Sequence, residues 1–304
     1  MQFKRENVKV LHLESTTVCN AACPQCARED ASLYNDATDR AELTVEKIKE
    51  LFSVPFIENL EKVFMCGDFG DPAANRATLD IFEYFRSVNP TIQLGLNTNG
   101  SIQNTQWWAR LGKLLSLSGD YCVFSIDGLG DTNHIYRVNT NFRKIIENAS
   151  AFIQNGGNAQ WDMLVFAHNE HQVHEARDLA HELGFTHFRS KVSKRFATKP
   201  VVGLEPPASF TLPNVDDPTA VDCFILKEQS MYVAATGELF PCCWLGNRVF
   251  NRDTSLDQLL QDDFKPLFEA METAPHSICL RNCGVRNNSN SSFENQWVIN
   301  EAFI

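Results

Sequence analysis

Short apolar runs alternate with longer amphipathic runs from residue 8 to about residue 190, and this alternation limits the possible folds more than any other feature. Six runs have the length and apolar content of buried strands, at 8–14, 62–66, 92–98, 121–127, 161–167 and 186–190. Longer runs with helical periodicity lie between them, at 45–52, 76–88, 105–117, 142–155 and 170–184. Strands that alternate with helices of this length predict a parallel α/β sheet, curled into a partial (β/α)6 barrel. Active-site residues of such barrels lie on the loops after the strands.

The sequence changes character after residue 200. Residues 201–220 are rich in proline and follow neither a helical nor a strand period, which predicts a linker. In the remainder, MYVAATGELFPCCW predicts a hairpin that turns at Thr236 and Gly237. We therefore expect a barrel over 1–200 and a small α+β domain with a polar tail over 221–304.

Ten cysteines are many for a chain without an apolar export signal, and most of them fall into two groups. Cys19, Cys23 and Cys26 follow the first predicted strand with the spacing C-x3-C-x2-C. Three thiolates on one loop can bind three irons of a four-iron cluster and leave the fourth iron open to a small molecule. Zinc is the alternative metal, but it needs a fourth Cys or His nearby, and His12 lies within the strand.

This cysteine loop resembles that of the radical S-adenosylmethionine (SAM) superfamily, whose motif follows the first strand of a partial TIM-like barrel. The second strand ends in GDFGDP, similar to the family's Gly-Gly-Glu-Pro, which presents backbone acceptors to the methionine amino group. The resemblance implies that Gly67, Gly70 and Asp71 bind SAM, although Asp71 stands where the family has Glu. Many members have an aromatic residue over the adenine just before the last cysteine, where this chain has Gln25.

The ends of the third and fourth predicted strands extend the resemblance. In similar family members, the residue matching Ser125 contacts the ribose and an arginine twelve residues later, here Arg137, contacts the methionine carboxylate. A guanidinium suits that carboxylate because it forms two parallel hydrogen bonds. The resemblance also implies that Asn97, Asn99 and Asp127 bind SAM. Capping of strand ends is the competing interpretation for these three, and a surface salt bridge is the competing interpretation for Arg137.

The second cysteine group lies in the C-terminal part. Cys223, then Gly237, then Cys242 have a spacing similar to that of the SPASM and twitch auxiliary domains of the same superfamily. The shorter twitch form implies one auxiliary [4Fe–4S] cluster on four thiolates, from Cys223, Cys242, Cys279 and Cys283. Cys243 adjoins Cys242, and neighbouring side chains on a strand point to opposite faces, so we favour Cys242 as the ligand. A structural zinc site is the alternative for this group.

The resemblance implies an enzyme with a [4Fe–4S] cluster that has an open iron, bound SAM, and an external electron donor such as flavodoxin or ferredoxin. A 5′-deoxyadenosyl radical would then abstract hydrogen from the substrate. A fully ligated auxiliary cluster favours net two-electron oxidation of a small alcohol, sugar or cyclitol. Only 18 residues precede Cys19, which disfavours an N-terminal peptide-recognition domain. A peptide- or protein-modifying maturase is the alternative, and a non-catalytic metal-binding scaffold is a remote one.

Charge and hydropathy limit the partners and the location. The net charge of −11 and a pI of about 5.2 disfavour bulk nucleic-acid binding. No apolar run is long enough for a membrane span, so we expect a cytoplasmic protein. The one dense basic run, 187–195, is either a solvated face or an anion-facing wall. Its weak catalytic candidates are Arg189, Lys191 and Lys194.

Overall fold

The computed structural model describes residues 3–29, 40–197, 199–210, 220–246, 258–285 and 297–303. A mostly parallel sheet forms its centre, as the alternating sequence predicted. The six barrel strands pair in chain order and run parallel. They are β1 (Val10–Leu13), β2 (Lys62–Cys66), β3 (Gln93–Thr98), β4 (Tyr121–Ser125), β5 (Ala159–Val165) and β6 (His187–Val192). This arrangement confirms the predicted partial barrel of six β–α units.

Seven helices of the barrel region lie between these strands in the described residues. They are α1 (Val45–Leu51), α2 (Val54–Glu58), α3 (Thr78–Val88), α4 (Thr105–Leu114), α5 (Asn133–Tyr136), α6 (Phe142–Gln154) and α7 (Val173–Glu182). Several begin at a side chain that accepts a backbone N–H of the first turn, as Thr44, Asn104 and Asn141 do. The sequence predicted the longer helices. It missed α2 and α5, which span only one turn or slightly more and so show little periodicity.

Burial alternates along β1, β2 and β5 and separates two faces of the sheet. Leu11, Leu13, Val63 and Met65 are fully buried and belong to the core between the sheet and the helices. The intervening positions, His12 among them, are partly buried and line the inside of the barrel. The outward face therefore supplies the hydrophobic core, and the inward face is available for polar groups.

Strands from the C-terminal part extend both edges of the barrel sheet. On one edge, β8 (Ser230–Val233) pairs parallel to β1 and carries β9 (Leu239–Phe240) as an antiparallel neighbour. The β8–β9 turn confirms the predicted hairpin, since Gly237 adopts a φ of +88° and its N–H donates to Ala234 O at 2.8 Å. On the other edge, β11 (Ile299–Ala302) pairs antiparallel with β6.

The remaining C-terminal elements form a small cluster near the hairpin. A two-stranded antiparallel ladder joins β7 (Ala220–Val221) to β10 (Gly284–Val285). The helices are α8 (Phe224–Glu228), α9 (Cys243–Gly246), α10 (Lys265–Ala270) and α11 (Ser277–Cys283). The predicted polar tail, 286–296, lies outside the described residues. No helix in the described ranges is both long and apolar enough to cross a membrane.

His12 on β1 gives the fold a predicted sensitivity to acid. Its ring stacks on Phe64, and its Nε2 lies 2.6 Å from Cys66 O, so the neutral ring donates there. Burial lowers the pKa of His12 to about 4. The unfolded chain therefore binds the proton more readily, and the His12 contribution to stability is lost as the pH falls from about 6.5 towards 4.

Comparison with His12→Gln, which keeps an N–H donor, should isolate this contribution. The stability advantage of the unchanged chain over the variant should shrink by about 2 kcal/mol between pH 7 and pH 4. Urea unfolding at a series of pH values measures it. If the free energies of unfolding of the two proteins change equally with pH, the acid sensitivity does not come from His12.

Candidate functional site

The loop after β1 brings the three cysteines of the first group to the carboxyl end of the barrel. Cys23 is buried in an apolar cluster with Ala21, Tyr136 and Phe166, and Cys19 and Cys26 pack against the same cluster. The Cys26 N–H donates to Cys23 O at 2.8 Å, which turns the loop tightly between the last two cysteines. The three thiols therefore share one sheltered position at the end of the sheet where barrel active sites form.

Polar donors from neighbouring loops approach the sulfurs of this loop. Asn99 Nδ2 lies 3.6 Å from Cys19 Sγ, and the Ala21 N–H lies 3.4 Å from the same sulfur. Arg137 Nη1 lies 3.9 Å from Cys23 Sγ. Burial raises the pKa of Cys19 to about 12 and also raises the pKa of Cys23. Donors directed at sulfur are the groups that stabilise thiolates and tune a metal cluster bound to them.

The loop after β2 packs its backbone against the cysteine loop at two glycines. A Cβ at Gly67 would lie 1.8 Å from Gly70 O, and a Cβ at Gly70 would lie 1.9 Å from Thr16 O. Both atoms in the way are backbone atoms, so neither can rotate aside. The Asp71 N–H donates to Val18 O at 2.9 Å and joins the two loops directly. Glycine is therefore required at both positions for this close approach.

Gly70→Ala should consequently destabilise the protein by about 2 kcal/mol, the usual cost of forcing an extra carbon into a packed site. Gly130→Ala is the matched control, because a Cβ there meets only Phe142 Cδ1 at 3.6 Å, and its effect should stay below about 0.5 kcal/mol. Urea unfolding of both variants measures the difference. Equal stabilities of the two variants would show that the loop can move aside.

Asp71 uses its carboxylate within the protein. It accepts hydrogen bonds from Thr98 Oγ1 at 2.8 Å, from the Asn99 N–H at 2.7 Å and from the Ala73 N–H at 3.0 Å. These contacts tie the loop after β2 to the end of β3. Asn99 in turn donates to Asn20 Oδ1 at 2.9 Å on the cysteine loop. Asp71 and Asn99 thus connect three loops at the barrel mouth, while Asn97 Oδ1 on β3 is buried without a hydrogen-bond partner in the described residues.

Arg137 pairs with Asp127 beneath the cysteine loop. Arg137 Nε donates to Asp127 Oδ2 at 2.6 Å, and the Leu164 N–H donates to Asp127 Oδ1 at 2.6 Å. The Asp127 side chain is fully buried and that of Arg137 is 17% exposed, so the surface salt bridge considered for Arg137 is wrong. Asp127 does cap backbone, in line with the competing interpretation. Ser125 ends β4, where it lies opposite Asp162 in the register with β5.

The basic side chains of β6 contact two different parts of the protein, the inside of the barrel and the segment that leads into the neighbouring edge strand β11. Arg189 donates through Nε and Nη2 to Asp162 at 2.7 and 3.0 Å. Trp297, just before β11, lies against both Arg189 and Lys191, with its ring 4.6 and 4.4 Å from the two cations. Lys194 falls in a short turn after β6, and its side chain lies outside the described part of the chain.

Two further residues of the site were not predicted from the sequence to hold its loops in place. Gln25 is fully buried, accepts from Ser193 Oγ at 2.7 Å and so joins the cysteine loop to the segment after β6. Glu14, at the end of β1, is fully buried beside the loop after β2. Burial and the nearby Asp68 raise the pKa of Glu14, and backbone N–H donors of the loop after β2 oppose that rise. A carboxylate directly after an apolar strand was the available hint.

The C-terminal cysteines surround a second site. One pocket is bordered by Cys223, Cys242, Cys279 and Cys283. Apolar side chains such as Leu245 and Phe268 complete its wall. Burial raises the pKa of Cys242, and the other three thiols add to that rise. In the described ranges no three His, Cys, Asp or Glu side chains are grouped so that they could hold a single metal ion.

Cys243 does not border this pocket. β9 ends at Phe240 and Cys243 begins α9, so the two adjacent cysteines do not lie on a strand as the sequence suggested. The side chains of Cys242 and Cys243 nevertheless point to different surroundings. Cys243 lies close to the side chains of Asp68, Cys66 and Glu14 on the barrel side.

Comparisons with known proteins give one family match and several structures with a similar fold. The family described as "Radical SAM superfamily" matches residues 13–180, more than half of the chain. No curated protein matches. SuiB of Streptococcus suis bound to S-adenosylmethionine has a TM-score of 0.59 at 15% identity, covering 91% of this chain and 71% of SuiB. anSMEcpe with bound AdoMet gives 0.55 at 13% identity, covering 95% of this chain and 88% of that one.

A third similar structure is BtrN in complex with AdoMet and 2-DOIA, with a TM-score of 0.50 at 12% identity, covering 97% of this chain and 98% of BtrN. The chain spans only 66% of SuiB in the structure bound to its precursor peptide SuiA. At such low identities the likeness concerns the fold.

Proposed function

Since the chain belongs to the radical SAM superfamily, we propose that it is an oxidoreductase that cleaves SAM reductively and oxidises a small polar substrate by two electrons. Members of this family bind a [4Fe–4S] cluster and SAM. The observation that carries the proposal is the convergence of Cys19, Cys23 and Cys26 on one sheltered loop at the carboxyl end of the parallel barrel. Asn99 and Arg137 direct donors at two of these sulfurs, which supports them as cluster ligands.

The bound cluster and SAM together would supply a 5′-deoxyadenosyl radical that removes a hydrogen atom from the substrate. The chain's own contribution is to hold SAM and to exclude water. Backbone at Gly67 and Gly70 would approach the methionine amino group, and Ser125 would contact the ribose. Arg137 would hold the methionine carboxylate, because Asp127 fixes its guanidinium beside Cys23. Asp71, Asn97, Asn99 and Asp127 complete the proposed SAM site.

The second group of cysteines is proposed to bind one auxiliary [4Fe–4S] cluster. Support comes from the four thiols of Cys223, Cys242, Cys279 and Cys283, which border one pocket with apolar walls. Four thiols around a shared space suit a cluster ligated entirely by protein. Such a cluster offers the substrate no coordination position, so it is better suited to accept an electron. On this basis the chain is proposed to consist of a barrel over 1–200, a linker over 201–220 and an auxiliary domain over 221–304.

Polar groups inside the barrel support a small polar substrate. The Asp162–Arg189 pair lies on the inner face, and Asn97 Oδ1 is a buried acceptor without a partner in the described residues. An alcohol, sugar or cyclitol could satisfy such groups. Arg189, Lys191 and Lys194 remain catalytic candidates near the end of β6, and an anionic group on the substrate would also explain these cations. The electron that starts the reaction would come from an external donor such as flavodoxin or ferredoxin, and we propose a cytoplasmic location.

A peptide- or protein-modifying reaction is the second candidate. It is favoured by the likeness to SuiB, whose structure was determined with a precursor peptide, and to anSMEcpe, whose structure was determined with a peptide.

Deuterium transfer distinguishes the two candidates. The reconstituted protein is incubated anaerobically with SAM, a reductant and uniformly deuterated substrates, in one arm sugars and cyclitols and in the other arm peptides. Mass spectrometry of 5′-deoxyadenosine then reports which class of substrate gives up the hydrogen atom. Enrichment from a sugar or cyclitol supports the proposal, and enrichment from peptides alone replaces it with the second candidate. The Cys23→Ala variant is the control for transfer that does not depend on the cluster.

A further inference from the structure

Glu14 holds the loop after β2 through its backbone. The carboxylate accepts hydrogen bonds from three consecutive N–H groups, those of Asp68 at 2.6 Å, Phe69 at 3.2 Å and Gly70 at 3.0 Å. The side chain is fully buried, so water cannot replace it in this role. A buried carboxylate that accepts three backbone donors fixes the curvature of that loop, since each donor would otherwise be left unsatisfied.

The same loop carries Gly67 and Gly70, which the proposed function assigns to the methionine end of SAM. The glycine backbones touch each other and Thr16 so closely that no side chain fits, which shows how little freedom the loop has. Its three N–H donors point at Glu14, which directs them away from the cofactor. The carbonyl side of the loop is thereby left for an ammonium group, which can only donate.

A residue of the C-terminal part completes the environment of Glu14. Tyr232 on β8 donates its hydroxyl to Glu14 Oε2 at 3.0 Å, and its ring is buried. β8 reaches this position because it pairs with β1, where Val233 lies opposite Leu13, the residue before Glu14. Cys243 lies close to the Asp68 side chain of the same loop, and it adjoins Cys242 of the second cysteine group. Tyr232 and Cys243, both from the C-terminal part, thus lie beside Glu14 and Asp68 at the loop after β2.

We propose that Glu14 is a positioning residue for SAM, and that Tyr232 makes the C-terminal part of the chain a structural component of the SAM site. This inference rests on the proposed function. It explains a buried carboxylate that no step of the reaction uses. It also gives the hairpin that leads to Cys242 a second role, because the strand that precedes Cys242 supports the loop that receives SAM.

The test is the affinity for SAM of three variants with both clusters reconstituted. Tyr232→Phe removes only the hydroxyl, and the Kd for SAM should rise about tenfold, as expected when a buried charged acceptor loses one hydrogen bond. Glu14→Gln places an amide N–H donor against backbone N–H donors, and the Kd should rise about a hundredfold. Tyr84→Phe is the matched control, because Tyr84 lies on α3 with its ring against Lys49, and its Kd should not change.

Equilibrium dialysis with labelled SAM measures the Kd. The change that SAM causes in the EPR spectrum of the reduced protein gives a second readout. Iron content and melting temperature are recorded for every variant, and the variants compared are those that hold as much iron as the unchanged protein and are folded at the assay temperature. Weaker SAM binding in Tyr232→Phe at unchanged iron content supports the inference. Unchanged SAM affinity in both Tyr232→Phe and Glu14→Gln overturns it. If the unchanged protein itself fails to bind SAM, the proposed function is wrong, which is a different outcome.

Discussion

Replacing Cys23 with alanine should lower the formation of 5′-deoxyadenosine by more than about a thousandfold. The proposed cluster supplies the electron that cleaves SAM, and amino-acid side chains cannot perform this chemistry in its place. Cys23 is the most buried of the three thiols on the loop after β1. Its loss leaves two ligands for the proposed cluster. Iron and sulfide analysis after anaerobic reconstitution, together with chromatography of the nucleoside, measures both consequences.

Cys122→Ala is the matched control for this prediction. Cys122 is also buried, but it lies on β4 in the hydrophobic core and belongs to neither cysteine group. This variant should keep its iron and its nucleoside formation, at a cost of about 1 kcal/mol of stability. Full activity in Cys23→Ala, or equal loss in both variants, would contradict the assignment of the first site.

Replacing Cys242 with alanine should remove about half of the bound iron, the share of one four-iron cluster out of two. Replacing Cys243 with alanine should leave the iron content unchanged. The physical reason is position, since Cys242 borders the pocket with Cys223, Cys279 and Cys283, whereas the Cys243 thiol lies close to Asp68 on the barrel side. Iron analysis and Mössbauer spectroscopy of the two variants measure the difference.

The two neighbouring cysteines act as controls for each other, because the substitution is identical and the positions differ by one residue. Loss of iron from Cys243→Ala with retention in Cys242→Ala would reverse the assignment. Stoichiometric zinc in place of iron in both would favour the structural zinc site.

The barrel was predictable because its signal is local. β1, β2, β4 and β5 are rich in apolar residues, and β2 occupies the residues predicted for it, 62–66. The cysteine loop was predictable for the same reason, since three ligands fall within eight residues of sequence.

Contacts between distant segments could not be predicted in this way. β8 and β11 join the barrel sheet at its two edges. Their short sequences, SMYV and INEA, do not indicate which strand each of them pairs with. Glu14 and Tyr232 are 218 positions apart in sequence. Only the β1–β8 pairing brings them together. Likewise, Arg137 is buried because it packs against Asp127 and the cysteine loop. The spacing between Ser125 and Arg137 in the sequence does not indicate this burial.

Formation of 5′-deoxyadenosine tests the central claim most directly. The anaerobically reconstituted protein is reduced with dithionite in the presence of SAM, and the nucleoside and methionine are quantified. The central claim is that SAM is cleaved reductively at this chain's cluster, so both products should form in equal amounts, the protein should hold iron and sulfide, and Cys23→Ala should form neither product. A protein that binds only zinc and releases no nucleoside would contradict it.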